Sequence, residues 1–152
     1  MSWMIETVRE APVHPADVYR LYEDPSTWST WGHAVKWARA DGPFVEDAVV
    51  DVKADYGRVY HCRISLLVPG RVLVLEVKPP LMTVIQTYAV DPTPDGSRIR
   101  HALEISGPLA GATRLIGLKR AYQRRLDKEV GKLIAIAALG TIDADQEFQP
   151  HP

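Results

Sequence analysis

Cysteine is almost absent from this sequence: Cys62 is the only one in 152 residues, which excludes an intrachain disulfide and a cysteine-based zinc site. A reducing cytoplasm is the expected compartment. Long apolar runs are missing too. The longest late stretch, 133–139, is far short of the roughly 20 residues that a membrane-spanning helix needs. Glu6, Arg9 and Glu10 stand where a signal peptide would need its apolar segment, so neither secretion nor membrane insertion is expected. An excess of one charge is lacking: 18 Lys and Arg face 19 Asp and Glu, and no global field points to nucleic acid or an anionic membrane. The histidines His14, His33, His61, His101 and His151 form no close ligand pair, no glycine-rich phosphate loop precedes a helix, and no serine nucleophile elbow occurs. No metal and no cofactor is expected.

What remains is ordinary globular material, 46% hydrophobic and 24% charged, long enough to bury a core without staples. One domain over 1–140 is predicted, followed by a frayed tail over 141–152 that holds three acids and two prolines. Trp3 to Glu10 alternates like a strand, and Pro12 stops it. Pro15 opens a short helix with Val18, Leu21 and Tyr22 at helical spacing. Asp24 caps a second one, with Pro25 at its first position, Trp28 and Trp31 on one face, and Gly32 at its end. Six strands follow, at 33–40, 47–55, 58–68, 71–78, 81–90 and 97–106. The breaks between them (Asp41-Gly42-Pro43, Tyr56-Gly57, Pro69-Gly70, Pro79-Pro80 and Pro92 to Gly96) favour turns, and such short connections imply antiparallel neighbours.

Period-two alternation assigns the faces. Val50, Val52 and Ala54 oppose Asp51, Lys53 and Asp55; Tyr60, Cys62, Ile64 and Leu66 oppose Arg58, His61, Arg63 and Ser65. In the last strand Ile99, His101, Leu103 and Ile105 share a face, which puts one titratable ring among apolar neighbours. After Gly107-Pro108 a continuous helix over 109–139 is predicted, about 45 Å long. Leu115, Leu118, Tyr122, Leu126, Val130, Leu133 and Ala137 form its apolar stripe.

The order of strand, two short helices, six-strand meander and long C-terminal helix resembles the START-like helix-grip (SRPBCC) superfamily, which includes the polyketide cyclase/dehydrase proteins. The local features carrying the resemblance are Asp24-Pro25-Ser26-Thr27-Trp28-Ser29-Thr30-Trp31, Val68-Pro69-Gly70-Arg71, and Gly96-Ser97-Arg98-Ile99 running to Ser106-Gly107-Pro108. They are fold markers rather than catalytic signatures. The resemblance implies an α+β helix-grip fold, in which a seven-stranded curved antiparallel sheet wraps around the C-terminal helix. It also implies a cavity between sheet and helix that holds a hydrophobic small molecule, and cofactor-free cyclisation or dehydration as the enzymatic option. Physics leads to the same place, because a strongly bent sheet on one helix cannot fill its interior entirely with side chains.

Within such a cavity His101 is the candidate catalytic residue, a general acid or base near neutrality; the alternative is a core histidine satisfied by a backbone carbonyl or by Tyr88. Some aromatic-polyketide cyclases of the superfamily use a cavity histidine with an arginine and an acidic residue. Arg63 is the obvious arginine here, yet alternation sends it to the solvent face. Glu129 and Lys119 lie at the edges of the helix stripe, where each reaches either the pocket mouth or water. Tyr60, Tyr88, Tyr122, Trp31, Ile64, Leu103, Leu118 and Leu126 are the expected ligand-binding lining, the tyrosines orienting ligand oxygens or simply packing. Trp28, Trp31 and Trp37 anchor their segment or gate the cavity. Cys62 reads as an inert buried thiol.

Charge is polarised along the chain. Residues 108–140 hold seven cations (Arg114, Lys119, Arg120, Arg124, Arg125, Lys128, Lys132) against Asp127 and Glu129, whereas residues 1–55 hold five cations and ten acids. The basic face is either solvated, with Asp127 and Glu129 as local partners, or docks to an acidic protein or lipid headgroups. No nucleic-acid motif accompanies it. Two functions therefore follow: binding of a hydrophobic, oxygenated small molecule, polyketide-like or lipid-like, with His101 moving a proton if chemistry occurs; or a non-catalytic carrier, sensor or protein-interaction module using the basic helix face. Monomer and homodimer both remain open.

Overall fold

Pro12 ends the first strand, β1 (Ser2–Ala11), and Pro15 begins α1 (Pro15–Glu23). The computed structural model describes residues 2–115 and 117–147, with side chains for 2–113 and 117–141. Asp24 then caps a 3-10 turn (Pro25–Thr27), its carboxylate accepting from the Ser26 N–H at 3.1 Å, and α2 (Trp28–Trp31) follows directly. These short helices carry the chain from one edge of the sheet to the other. The meander β2 (Val35–Ala40), β3 (Val49–Ala54), β4 (Val59–Val68), β5 (Val72–Val77), β6 (Thr83–Thr93) and β7 (Gly96–Ser106) runs back, until β7 pairs with β1. The seven-stranded sheet has the order β1-β7-β6-β5-β4-β3-β2, antiparallel throughout.

The predicted faces hold with one correction. A bulge between Ile64 and Leu66 breaks the β4–β5 register, so Leu66 turns outward, 44% exposed, and Leu67 packs against the core instead. A one-residue insertion inverts every later side chain, and strict alternation has no means of marking it.

The predicted single helix over 109–139 is two. Helix α3 (Ala110–Leu115) precedes Gly117, whose φ of +79° is left-handed, and α4 (Leu118–Glu147) then grips the sheet. The Trp3 indole N–H holds the start of α3, donating to the Ala110 carbonyl at 3.0 Å and to Thr113 Oγ1 at 3.1 Å. Helix α4 also continues past the expected end at 139. Gly140 does not stop it; a Cβ there would lie 3.3 Å from Asp17 Oδ1, so the bare backbone lets α1 approach closely. Thr141 locks that contact, donating to Asp17 Oδ2 at 2.9 Å and accepting from the His14 N–H at 3.1 Å. The rest of the expected tail, 148–152, lies outside the described residues.

Gly96 is the strictest backbone position in the sheet. Its φ is +153°, and a Cβ would sit 2.8 Å from Pro12 Cα and 2.9 Å from Val13 N, where the loop after β1 crosses β7. That loop is fixed by Ser97, which is fully buried and donates to the Val13 carbonyl at 2.6 Å. Gly96→Ala is expected to lower the unfolding free energy by about 2–3 kcal/mol in urea titration. A loss below about 0.5 kcal/mol would mean that the crossing loop simply moves aside.

Candidate functional site

Two apolar clusters form inside the grip. One gathers Val18, Tyr22, Trp31, Ile64, Leu73, Val130 and Leu133 under α1 and α2; the other joins Trp3, Ile5, Leu103, Ile105, Ala110 and Leu126. A cavity of about 370 Å³ is walled by members of both, Trp28, Trp31, Cys62, Leu75 and Tyr88 from the first and Leu103, Ile105 and Leu126 from the second. It is the space that the bent sheet and α4 fail to fill. Exposed His33, Tyr56, Arg58 and Arg125 form its mouth, where Arg58 stacks on the Tyr60 ring at 5.1 Å and Arg125 on Tyr122 at 5.2 Å. Tyr56 and Tyr60 share a hydroxyl contact, and burial, followed by that contact, pushes the Tyr56 hydroxyl up to about 12. Lost hydration, then the charge of Arg125, lowers the His33 pKa.

Away from the mouth the wall carries few polar groups, among them Gln86, Tyr88, Thr113 and Glu129. Tyr88 donates to Gln86 Oε1 at 3.0 Å. Glu129, only 9% exposed, uses Oε1 to accept from His101 Nδ1 at 3.0 Å, and His101 Nε2 lies 2.9 Å from the Tyr22 hydroxyl. The imidazole is fully buried, boxed by the rings of Tyr22, Trp31 and Tyr88 with centroids 5.6, 5.9 and 4.9 Å away. With Glu129 ionised, Nδ1 carries the proton and Nε2 accepts from the tyrosine. Burial, followed by the charge of Glu129, holds the Tyr22 and Tyr88 hydroxyls well above their ordinary pKa, so both remain O–H donors.

The chain around this cavity can be set beside proteins of known family and fold. A sequence profile described as polyketide cyclase / dehydrase and lipid transport matches residues 2–137. The chain belongs to that family. No curated protein matches it. Among solved structures, a Staphylococcus aureus protein of unknown function, SA2116, superposes with a TM-score of 0.74 at 12% identity, over 93% of this chain and 96% of its own. MLL2253 from Mesorhizobium loti gives 0.69 at 18% identity, with 88% and 96% covered. The di-domain ARO/CYC BexL from the BE-7585A biosynthetic pathway gives 0.69 at 15% identity over 90% of this chain, which spans 50% of BexL. At these identities the likeness is one of fold.

Of the expected lining of this family member, Tyr60, Tyr88, Tyr122, Trp31, Leu103, Leu118 and Leu126 all reach the cavity. Ile64 does not; it is fully buried in the packed core beneath. His101 is also off the wall, behind Glu129 and Tyr88, with both ring nitrogens engaged. Tyr88, its cross-strand neighbour and expected partner, meets it edge-on with the hydroxyl turned to Gln86; the hydrogen bond comes from Tyr22. Glu129, placed by the sequence at a stripe edge with water as its commoner destination, faces inward. Arg63 is on the outer face as expected, bonded to Asp47 at 2.7 Å with Glu76 at 3.5 Å. Trp37 stands apart under the Arg39 guanidinium at 4.5 Å. Sequence reasoning missed Tyr22, Gln86 and Arg125. Tyr22 left one trace, a hydroxyl on the buried face of an amphipathic helix that must find a partner.

Cys62 lines the cavity, yet burial pushes its thiol from near 9.0 up to about 12. The neutral thiol is favoured by folding, so its contribution to stability is complete below about pH 9 and is lost as pH rises toward about 12. The native protein is expected to resist iodoacetamide at pH 8 and to be alkylated once unfolded in urea; equal rates in both states would contradict the buried placement.

Proposed function

We propose that this protein takes up an apolar, oxygen-bearing small molecule, polyketide-like or lipid-like, between its sheet and α4. The observation that carries the reading is a 370 Å³ cavity with a mainly apolar wall, a few inner polar groups including Gln86, Tyr88 and Glu129, and a mouth ringed by arginine and tyrosine. Burial of hydrocarbon supplies affinity, and the few polar groups set orientation. Family membership and the fold shared with BexL, an ARO/CYC protein, support it. Trp28 and Trp31 stand on the wall, so 2-naphthol should quench tryptophan fluorescence saturably with one molecule per chain. Linear, unsaturable quenching, together with an empty protein in native mass spectrometry, would remove the reading.

A second reading is supported by the basic face of α4. Arg120, Arg124, Lys128 and Lys132 recur at four-residue spacing, are exposed, and make no ion pair among the described residues. The local partners expected from sequence are engaged elsewhere, Asp127 with Thr7 and Glu129 with His101. On this reading the face docks a ligand-loaded carrier onto an anionic lipid surface. Co-sedimentation with phosphatidylserine vesicles should fall by about tenfold in Arg124→Glu with Lys128→Glu. Unchanged sedimentation would exclude that face.

A further inference from the structure

Arginines on the outer face of the sheet find acids: Arg63, Arg71, Arg98 and Arg100 each lie 3.0 Å or less from a carboxylate. The two arginines at the cavity mouth do not. The Arg58 and Arg125 guanidiniums each rest on a tyrosine ring of the wall, and neither makes an ion pair or hydrogen bond among the described residues. Arg58 is held by the tight β3–β4 turn, in which Gly57 is left-handed at φ +99° and the Ala54 N–H donates to the Arg58 carbonyl at 2.8 Å. The Asp55 N–H of that turn donates to the Ala34 carbonyl at 2.9 Å, which ties the turn to the segment after α2. Arg125 reaches the mouth from α4. The two sides are close, since the Tyr56 hydroxyl, bonded to Tyr60, is in electrostatic reach of both Arg58 and Tyr122, the ring under Arg125.

We propose that the ligand is an amphiphile ending in a carboxylate, with its hydrocarbon between sheet and α4 and its carboxylate held at the mouth by Arg58 and Arg125. The inference rests on the ligand-binding reading above and names the class of molecule that the cavity takes. Charge sets the orientation. Glu129 is the one acid on the wall among the described residues, and it stands inside, bonded to His101. A second carboxylate driven inward would meet that charge with no counter-ion, whereas at the mouth it meets two forks of N–H donors that match carboxylate geometry. Stacking on Tyr60 and Tyr122 already restricts those forks, so less freedom is lost when they bind. Of the paired Tyr56 and Tyr60 hydroxyls, the one that accepts within the pair keeps its own proton to donate beside them.

The test compares decanoate with decan-1-ol, which share a hydrocarbon chain and differ in charge, as competitors of 2-naphthol for the intact protein at about pH 8, where the acid is ionised. A cavity that recognises hydrocarbon alone would favour the alcohol, because an anion gives up hydration on entry. The mouth should reverse that order, with a Kd for decanoate at least about tenfold below that for decan-1-ol. Arg58→Gln with Arg125→Gln should raise the decanoate Kd about 30-fold and leave decan-1-ol within about twofold; both residues are exposed, and near-UV circular dichroism checks the fold. Lys36→Gln with Arg39→Gln is the charge-matched control. Arg39 also stacks on a ring, that of Trp37 at 4.5 Å, but neither residue lines the cavity, and decanoate binding should be unaltered. Equal or weaker binding of decanoate than of the alcohol, an unchanged Kd in the mouth variant, or an equal loss in the control would each overturn the proposal. Saturable 2-naphthol uptake alongside any of these results overturns the carboxylate clamp alone; absence of uptake overturns the cavity reading and the clamp with it.

Discussion

Replacing His101 by alanine should lower the unfolding free energy by about 3 kcal/mol, measured by urea titration, before any question of activity arises. The imidazole is fully buried and touches three aromatic rings, one of them edge-on with a centroid separation of 4.9 Å. Truncation removes those contacts and opens a void, which alone costs about 2 kcal/mol or more. It also takes from Glu129 its only hydrogen-bond donor among the described residues. Two features limit the damage. Tyr22 still has the Ala89 carbonyl at 3.3 Å, and Glu129 faces a cavity that water can enter. The expected loss is therefore nearer 3 than 5 kcal/mol. A catalytic histidine poised on a cavity wall would behave differently, leaving stability nearly intact on truncation. A measured loss under about 1 kcal/mol would show that the ring is no keystone and would reopen a wall position for it.

The architecture was legible because its signals are local. Alternation in Val50, Val52 and Ala54, the turns at Pro69-Gly70 and Pro92 to Gly96, and the stripe from Leu118 to Ala137 each follow from a few neighbouring residues. What stayed hidden was set at a distance. The pairing of β1 with β7 depends on where two short helices carry the chain, which no strand pattern encodes. The break at Gly117 looked like one glycine inside a helical period, and nothing local separates a tolerated glycine from a left-handed one. The bulge before Leu66 is invisible for the same reason.

The site was half legible on similar grounds. Its apolar lining followed from face assignment, since whatever faces inward in a grip lines the space between sheet and helix. Its polar centre did not. The Tyr22, His101 and Glu129 side chains come from α1, β7 and α4, 79 and 28 residues apart in sequence, and only the packed structure brings them to hydrogen-bond distance. Glu129 lies at the edge of the helix's apolar stripe, where a long acid ordinarily bends to water. A buried ring nitrogen within reach changes that preference, because the Nδ1–H finds its acceptor in the carboxylate while the carboxylate stays on the cavity wall.

Filling the cavity is the second large effect expected. Val84 lies on β6, half-buried, on the cavity wall, and next to the cluster around Leu103 and Leu126. Val84→Trp should project an indole into the empty volume and reduce 2-naphthol affinity at least about 100-fold, because a ligand loses both room and the apolar area it would bury. Overpacking a dense core costs about 1–3 kcal/mol, but here space exists for the added atoms, so stability should change by less than about 1 kcal/mol. Those two readings together separate occupation of a void from general disruption. Leu66→Trp supplies the contrast: Leu66 is 44% exposed on the outer face beyond the β4 bulge, and the same enlargement there should leave 2-naphthol uptake unaltered. If Val84→Trp folds normally and still binds 2-naphthol like the wild type, the ligand sits elsewhere, and the space between sheet and α4 is a packing defect rather than a site.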